Sequence, residues 1–142
     1  GGHCISVDPW FIVDSANGKA KMIEQARRTN DYKADWVVEK IKNEALIFEK
    51  DNGRKATIAC MGLAFKPNID DLRESPALYI TQKLINDGFN VLAVEPNIKN
   101  YSGFEIVEYQ DAIKRSDIIA MLVAHKEFLD LNIETQLNFC GI

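Results

Sequence analysis

Cys4 stands beside His3 and four residues ahead of Asp8, in the stretch GGHCISVDPW at the start of the chain. A thiol, an imidazole and a carboxylate so placed can carry nucleophilic chemistry. A neighbouring imidazolium or a bound cation lowers a thiol's pKa, and the thiolate is the attacking form. Asp8 is near enough in sequence to orient a water or to accept a proton once an intermediate has formed. Gly1 and Gly2 add no side-chain bulk, so a ligand can come close to the sulfur. The same residues also suit an inert surface loop, and nothing within the stretch decides between the two. Of the other cysteines, Cys60 lies inside an apolar run and reads as a core residue, and Cys140 carries no chemical signal.

A second cluster of chemistry-bearing residues lies between the apolar run TIACMG and a helix beginning at Pro76. The link LAFKPNIDDLRES carries Phe65, Lys66, Asp70, Asp71, Arg73 and Glu74. Strand-to-helix links in α/β units usually take about 2–6 residues, and this one is roughly twice as long. It belongs at the carboxyl end of a strand, where open α/β sheets bind ligands. A lysine and an arginine ahead of a helix N-terminus can clamp a diphosphate; a solvated charged loop is the equal alternative. The turn has Gly62 but no GxGxxG, so the usual dinucleotide fingerprint is missing. Glu95, ending the next strand, stands where an acidic residue would meet a ribose hydroxyl, although a plain strand-end turn uses such a residue more often.

The elements that must position these groups follow from periodicity. Residues 19–53 contain no proline and no internal glycine, carry apolar residues at helical spacing, and end at Asn52-Gly53. They predict one long helix or two shorter ones broken near Asn30-Asp31. A helix of that length is expected to need another domain or a second copy to cover its stripe. From residue 54 onward, strand-like and helical segments alternate: KATIACMGLAF, then a helix with Ser75 as N-cap, Pro76 at its first position and Gly88 as its stop, then NVLAVEP, FEIVEY, a short helix QDAIKRS, the buried strand DIIAMLVAH, and KEFLDL opening a further helix. The fold class is α/β: a Rossmann-like parallel-sheet domain preceded by a long α-helix. Three units are expected, a cysteine loop at 1–18, the helix at 19–53 and the sheet domain at 54–142.

Composition narrows the functions. The 142 residues are 46% hydrophobic and 27% charged, with a formal charge of -4. An acidic balance argues against a general nucleic-acid binder. No run approaches the roughly 20 apolar residues that span a bilayer. Three scattered cysteines and two histidines form neither a disulfide framework nor a zinc pattern, so no metal is expected, and a reducing cytoplasm is the simplest setting.

GGHCISVDPWFIV and GLAFKPNIDDLRESPAL, in that order and separated by a long helix, resemble the signature segments of the UDP-glucose/GDP-mannose dehydrogenase family. The histidine before the cysteine and the VDPWFIV after it look most like the branch acting on UDP-N-acetyl-D-mannosamine. The resemblance implies an upstream NAD-binding domain of the same parent chain, a homodimer through the long helix, and a C-terminal domain that binds the UDP-sugar. The chain then corresponds to the helix and C-terminal domain, a fragment inactive alone. The resemblance further implies that Cys4 is the nucleophile, that Asp8 assists water, that Gly1, Phe65 and Lys66 contact substrate, and that Arg73 reaches the NAD. It also implies a place in surface polysaccharide synthesis.

Overall fold

The computed structural model describes residues 3–129, 131 and 138–140. Four parallel strands make the sheet: β1 (Thr57–Met61), β2 (Asn90–Val94), β3 (Ile118–Met121) and β4 (Asn138–Cys140), in the order β2-β1-β3-β4. The expected strand FEIVEY is reduced to a single parallel bridge, Ile106 opposite Ala93, with the Val107 N–H donating to the Ala93 carbonyl at 2.8 Å. That bridge lies on the far side of β2. Counting it, the order is that of a dinucleotide-type sheet, with the reversal of direction between β1 and β3.

Alternation along the strands builds two cores. Ile58 and Cys60 of β1 and Ile118 and Ala120 of β3 face one side; Ala59, Met61 and Ile119 face the other. The first side is covered by α2 (Lys21–Asn52) and α3 (Pro76–Asn86), the second by α4 (Tyr109–Arg115) and a 3-10 turn at Lys126–Phe128. KEFLDL, expected to open a further helix, forms that 3-10 turn, and residues 132–137 beyond it lie outside the described residues.

Helix α2 is unbroken and, at 32 residues, about 48 Å long. Gly53, in the left-handed region at φ 68°, ends it by donating to the Glu49 carbonyl. Its second half buries Ala34, Val37, Val38, Ile41 and Ala45 against the sheet and α3, so that stripe is covered within the chain, while Trp36, Leu46 and Ile47 stay exposed. Polar ties reinforce the seat: Lys42 Nζ reaches Asp87 at 2.8 Å, and the Tyr79 hydroxyl donates to Asp35 at 2.7 Å.

The largest departure concerns the opening segment. His3–Ser15 is a helix, α1, where a loop was expected. Pro9, inside this helix, deprives it of only one donor. Val7, Trp10 and Val13, at three-residue spacing, are half-buried in this helix, which packs against α2, and the Arg28 guanidinium lies 5.9 Å from the Trp10 ring centre. Asn17 and Gly18, both at positive φ, turn the chain from α1 into α2.

Gly62 follows β1 at φ 89°, and a Cβ there would lie 2.6 Å from the Val123 Cβ and 2.9 Å from its carbonyl oxygen. Gly88 has nearly the same φ, 82°, with open space around it. Gly62→Ala is therefore expected to cost about 2–4 kcal/mol and Gly88→Ala about 1 kcal/mol. Urea unfolding of the two variants checks this, and equal losses would remove the steric account.

Candidate functional site

The carboxyl ends of β1, β2 and β3 meet where the sheet order reverses, and the long link of residues 63–75 lies across them. Its own sequence closes it into a compact shape. The Phe65 N–H donates to the Asp71 carbonyl at 3.1 Å, and Asn68 and Glu74 take positive φ values of 61° and 53° to make the bends. Ser75 anchors the far end twice, its hydroxyl donating to the Leu63 carbonyl at 2.6 Å and accepting from the Leu78 N–H at 3.3 Å as the N-cap of α3.

Beneath the loop lies Glu95, 3% exposed. Its Oε2 accepts from the Leu63 N–H at 2.8 Å, the Ala64 N–H at 2.9 Å and His125 Nε2 at 3.1 Å. Its Oε1 accepts from the backbone and side-chain N–H groups of Asn97 at 3.0 and 3.2 Å. Burial alone would raise the carboxyl's pKa, but the hydrogen bonds from His125, Asn97, Leu63 and Ala64 together outweigh it and hold the value at about 2. His125 is fully buried; its Nδ1 accepts from the Asn68 N–H at 2.9 Å and lies 3.1 Å from Asn97 Nδ2. The Lys126 N–H in turn donates to Asn68 Oδ1 at 2.9 Å.

This arrangement corrects one sequence expectation. Glu95 is not presented to a ribose; both its oxygens are committed inside the protein. Sequence reading gave His125 no role beyond noting it as poor zinc material. Its one signal was its place directly after a buried strand, level with the strand ends that carry Glu95 and the loop.

The other singled-out residues lie on two surfaces. Phe65 is half-buried, Lys66 is exposed with its Nζ 5.2 Å from the Phe65 ring centre, and Asp70 is exposed. Arg73 is exposed and held by Asp71, with Nε–Oδ1 at 3.0 Å and a terminal nitrogen 2.7 Å from Oδ2. Cys4 and Asp8 are exposed on α1, one turn apart and therefore on one helix face, away from the sheet domain's own packing. Gly1 lies outside the described residues. Cys60 is buried beside Thr81, and burial pushes its thiol up to about 12, leaving it protonated and inert at neutral pH. Among the described residues no group of His, Cys, Asp or Glu is disposed to hold a metal ion, and no helix is long and apolar enough to cross a membrane.

Residues 59–139, which span this sheet and loop, match the UDP-glucose/GDP-mannose dehydrogenase family, UDP binding domain. The chain belongs to that family. It is 48% identical, over 99% of its length, to a UDP-N-acetyl-D-mannosamine dehydrogenase of Campylobacter jejuni, of which it covers 35%. It is 45% identical, over 94% of its length, to an NDP-N-acetyl-D-galactosaminuronic acid dehydrogenase of Ralstonia nicotianae, of which it covers 32%. A solved UDP-N-acetyl-mannosamine dehydrogenase of Staphylococcus aureus superposes with a TM-score of 0.73 at 31% identity, over 92% of this chain and 30% of that one. The chain thus spans about a third of the length of these relatives.

The family's α/β fold is present, and the two features that mark a dinucleotide-binding turn are replaced by others. The turn after β1 has no glycine-rich phosphate cradle, and the acidic residue at the end of β2 is buried and saturated.

Glu95 carries a pH signature. Its folded pKa of about 2 lies below the ordinary 4.5, so its stabilisation is complete above pH 4.5 and is lost as pH falls toward 2. The full contribution is on the order of 3 kcal/mol. Glu95→Gln, which turns one acceptor into a donor facing N–H groups, is expected to lower stability at pH 7 by about 2–4 kcal/mol and to flatten the acid limb of the stability curve. Denaturant unfolding from pH 7 to pH 2 checks both.

Proposed function

We propose that the parent protein oxidises UDP-N-acetyl-D-mannosamine at C6 to the corresponding uronic acid, in two steps whose hydrides pass to NAD, and that this chain supplies the UDP-sugar platform and the nucleophile. The observation that carries the reading is the loop of residues 63–75, seated at the switch point of a sheet whose family is a UDP binding domain, with Phe65 and Lys66 at its surface. Similarity to the Campylobacter enzyme supports the choice of sugar. The comparable similarity to the Ralstonia enzyme makes a different N-acetylated sugar the nearest alternative.

In this reading Phe65 offers an aromatic face and Lys66 a cation to the nucleotide. Cys4 captures the aldehyde left by the first oxidation as a thiohemiacetal. Loss of a second hydride gives a thioester, and water, assisted by Asp8, releases the acid and restores the thiol. A single helix face carrying both Cys4 and Asp8 suits this division of labour. Arg73 reaches toward the NAD from this domain, while the NAD site itself belongs to the parent's other domain. Gly1 extends the substrate contact ahead of Cys4. Met22, Tyr32, Trp36, Leu46 and Ile47, exposed along α2, support a homodimer through that helix. We place the activity in the cytoplasm, in the supply of acidic sugars for surface polysaccharide.

The test is the intact parent with UDP-N-acetylmannosamine, UDP-N-acetylglucosamine, UDP-N-acetylgalactosamine and UDP-glucose in parallel. Two NADH per UDP-N-acetylmannosamine are expected, with little turnover of the others. Cys4→Ala is expected to abolish acid formation, and Asp8→Asn to slow it by about 100-fold or more. Two NADH from another sugar would keep the mechanism and replace the substrate. Absence of NADH from all of them would leave a nucleotide-binding and dimerisation module.

A further inference from the structure

We propose that His125 is a positioning residue for the loop of residues 63–75, acting through the lone pair of Nδ1 on the Asn68 N–H. The inference rests on the reading that this loop binds the UDP group. A backbone N–H can only donate, so Nδ1, 2.9 Å from the Asn68 nitrogen, carries no proton, and the ring's hydrogen sits on Nε2 facing Glu95 Oε2 at 3.1 Å. The imidazole is thus a neutral coupler between a saturated carboxylate and the middle of the loop.

Three features make this grip specific to the loop. Asn68 is held on two sides, its N–H by His125 and its Oδ1 by the Lys126 N–H at 2.9 Å, so consecutive residues after β3 clasp one loop residue. Asn68 sits two positions beyond Lys66 in a left-handed backbone conformation, which sets the direction in which the chain leaves Phe65 and Lys66. Finally, the ring is fully buried, its centre 5.5 Å from that of the Phe128 ring with the two planes at 85°, so packing as well as hydrogen bonding holds Nδ1 toward the loop. The Asn68 N–H thereby has a partner that no water need supply, and the loop is pre-formed before ligand arrives. Pre-organisation of this kind raises affinity by cutting the ordering cost of binding.

Two half-replacements separate this role from simple support of Glu95. In His125→Asn the amide oxygen can take the place of Nδ1, keeping the acceptor for Asn68 but losing the donor to Glu95. In His125→Gln the amide nitrogen can take the place of Nε2, keeping the donor but losing the acceptor. Calorimetric titration of the intact parent with UDP, together with hydrogen–deuterium exchange of the peptide spanning residues 65–71, reads the difference. The expected result is affinity within about threefold of the original for His125→Asn and about tenfold or more weaker for His125→Gln, with faster loop exchange only in the latter. The opposite order, equal losses, or original affinity in both would overturn the assignment to Nδ1. If the unaltered parent does not bind UDP, the UDP reading fails, and loop exchange alone then decides the clasp. Should both variants fail to fold, exchange of the residue 68 amide in the unaltered parent decides: strong protection is expected, and exchange at the rate of an exposed amide would overturn the proposal.

Discussion

A carboxylate buried at the end of β2 governs the geometry of this domain. A charge removed from water is tolerable only when hydrogen bonds replace its hydration. Glu95 obtains them from the backbone of the turn after β1, from Asn97 just beyond its own strand, and from His125 after β3. Three strand ends are therefore tied to one charge. Gly62 makes the approach possible, because any side chain there would collide with Val123 and push the turn off the carboxylate. The demand of a single buried charge thus fixes the start of the loop, and with it the platform on which a ligand can rest.

A second set of polar ties closes the other end of the sheet. Asp117, at the opposite end of the sheet, accepts from the Thr57 N–H at 2.9 Å and forms a two-point pair with Arg54 at 2.6 and 2.8 Å. The guanidinium also lies 4.8 Å from the Phe48 ring centre, joining the end of α2 to the start of β1. Between the two polar ends runs an apolar sheet covered on both faces. The candidate residues Phe65, Lys66 and Arg73 lie at the Glu95 end, while at the other end Arg54 and Asp117 form a seam between helix and sheet.

How much of this could be read in advance depended on how local its cause was. Ser75-Pro76 opening α3 and Gly53 closing α2 are decided within a few residues, and they stand as the sequence implied. Strand alternation and the parallel sheet were equally legible, as was the over-long link after β1. The opening helix was hidden because the stretch around Cys4 was read for its chemistry as a loop, whereas the deciding factor, packing of α1 on α2, is tertiary. Glu95 was noticed for the right position and the wrong partner: spacing places a carboxylate at a strand end but does not say whether it faces a ligand or the turn beside it. His125 is separated from Asn68 by 57 residues, and no pattern short of the fold connects them. FEIVEY has the composition of a strand, yet only Ile106 meets the sheet, at its edge.

The length of α2 has a mechanical consequence. The segment from Lys21 to Ala34 projects about 20 Å beyond the part seated on the sheet, and α1 with Cys4 rides on that projecting arm. A tilt of roughly 3° at the seat would swing the far end by about 1 Å, a displacement of the size that matters in a reacting pair. Under the function proposed above, the alignment of the sulfur would be set remotely, by the shapes of Val38 and Ile41 where the arm is bolted down. Small volume changes at those two positions would then be leveraged into aim, and residues far from the proposed chemistry would become its sights.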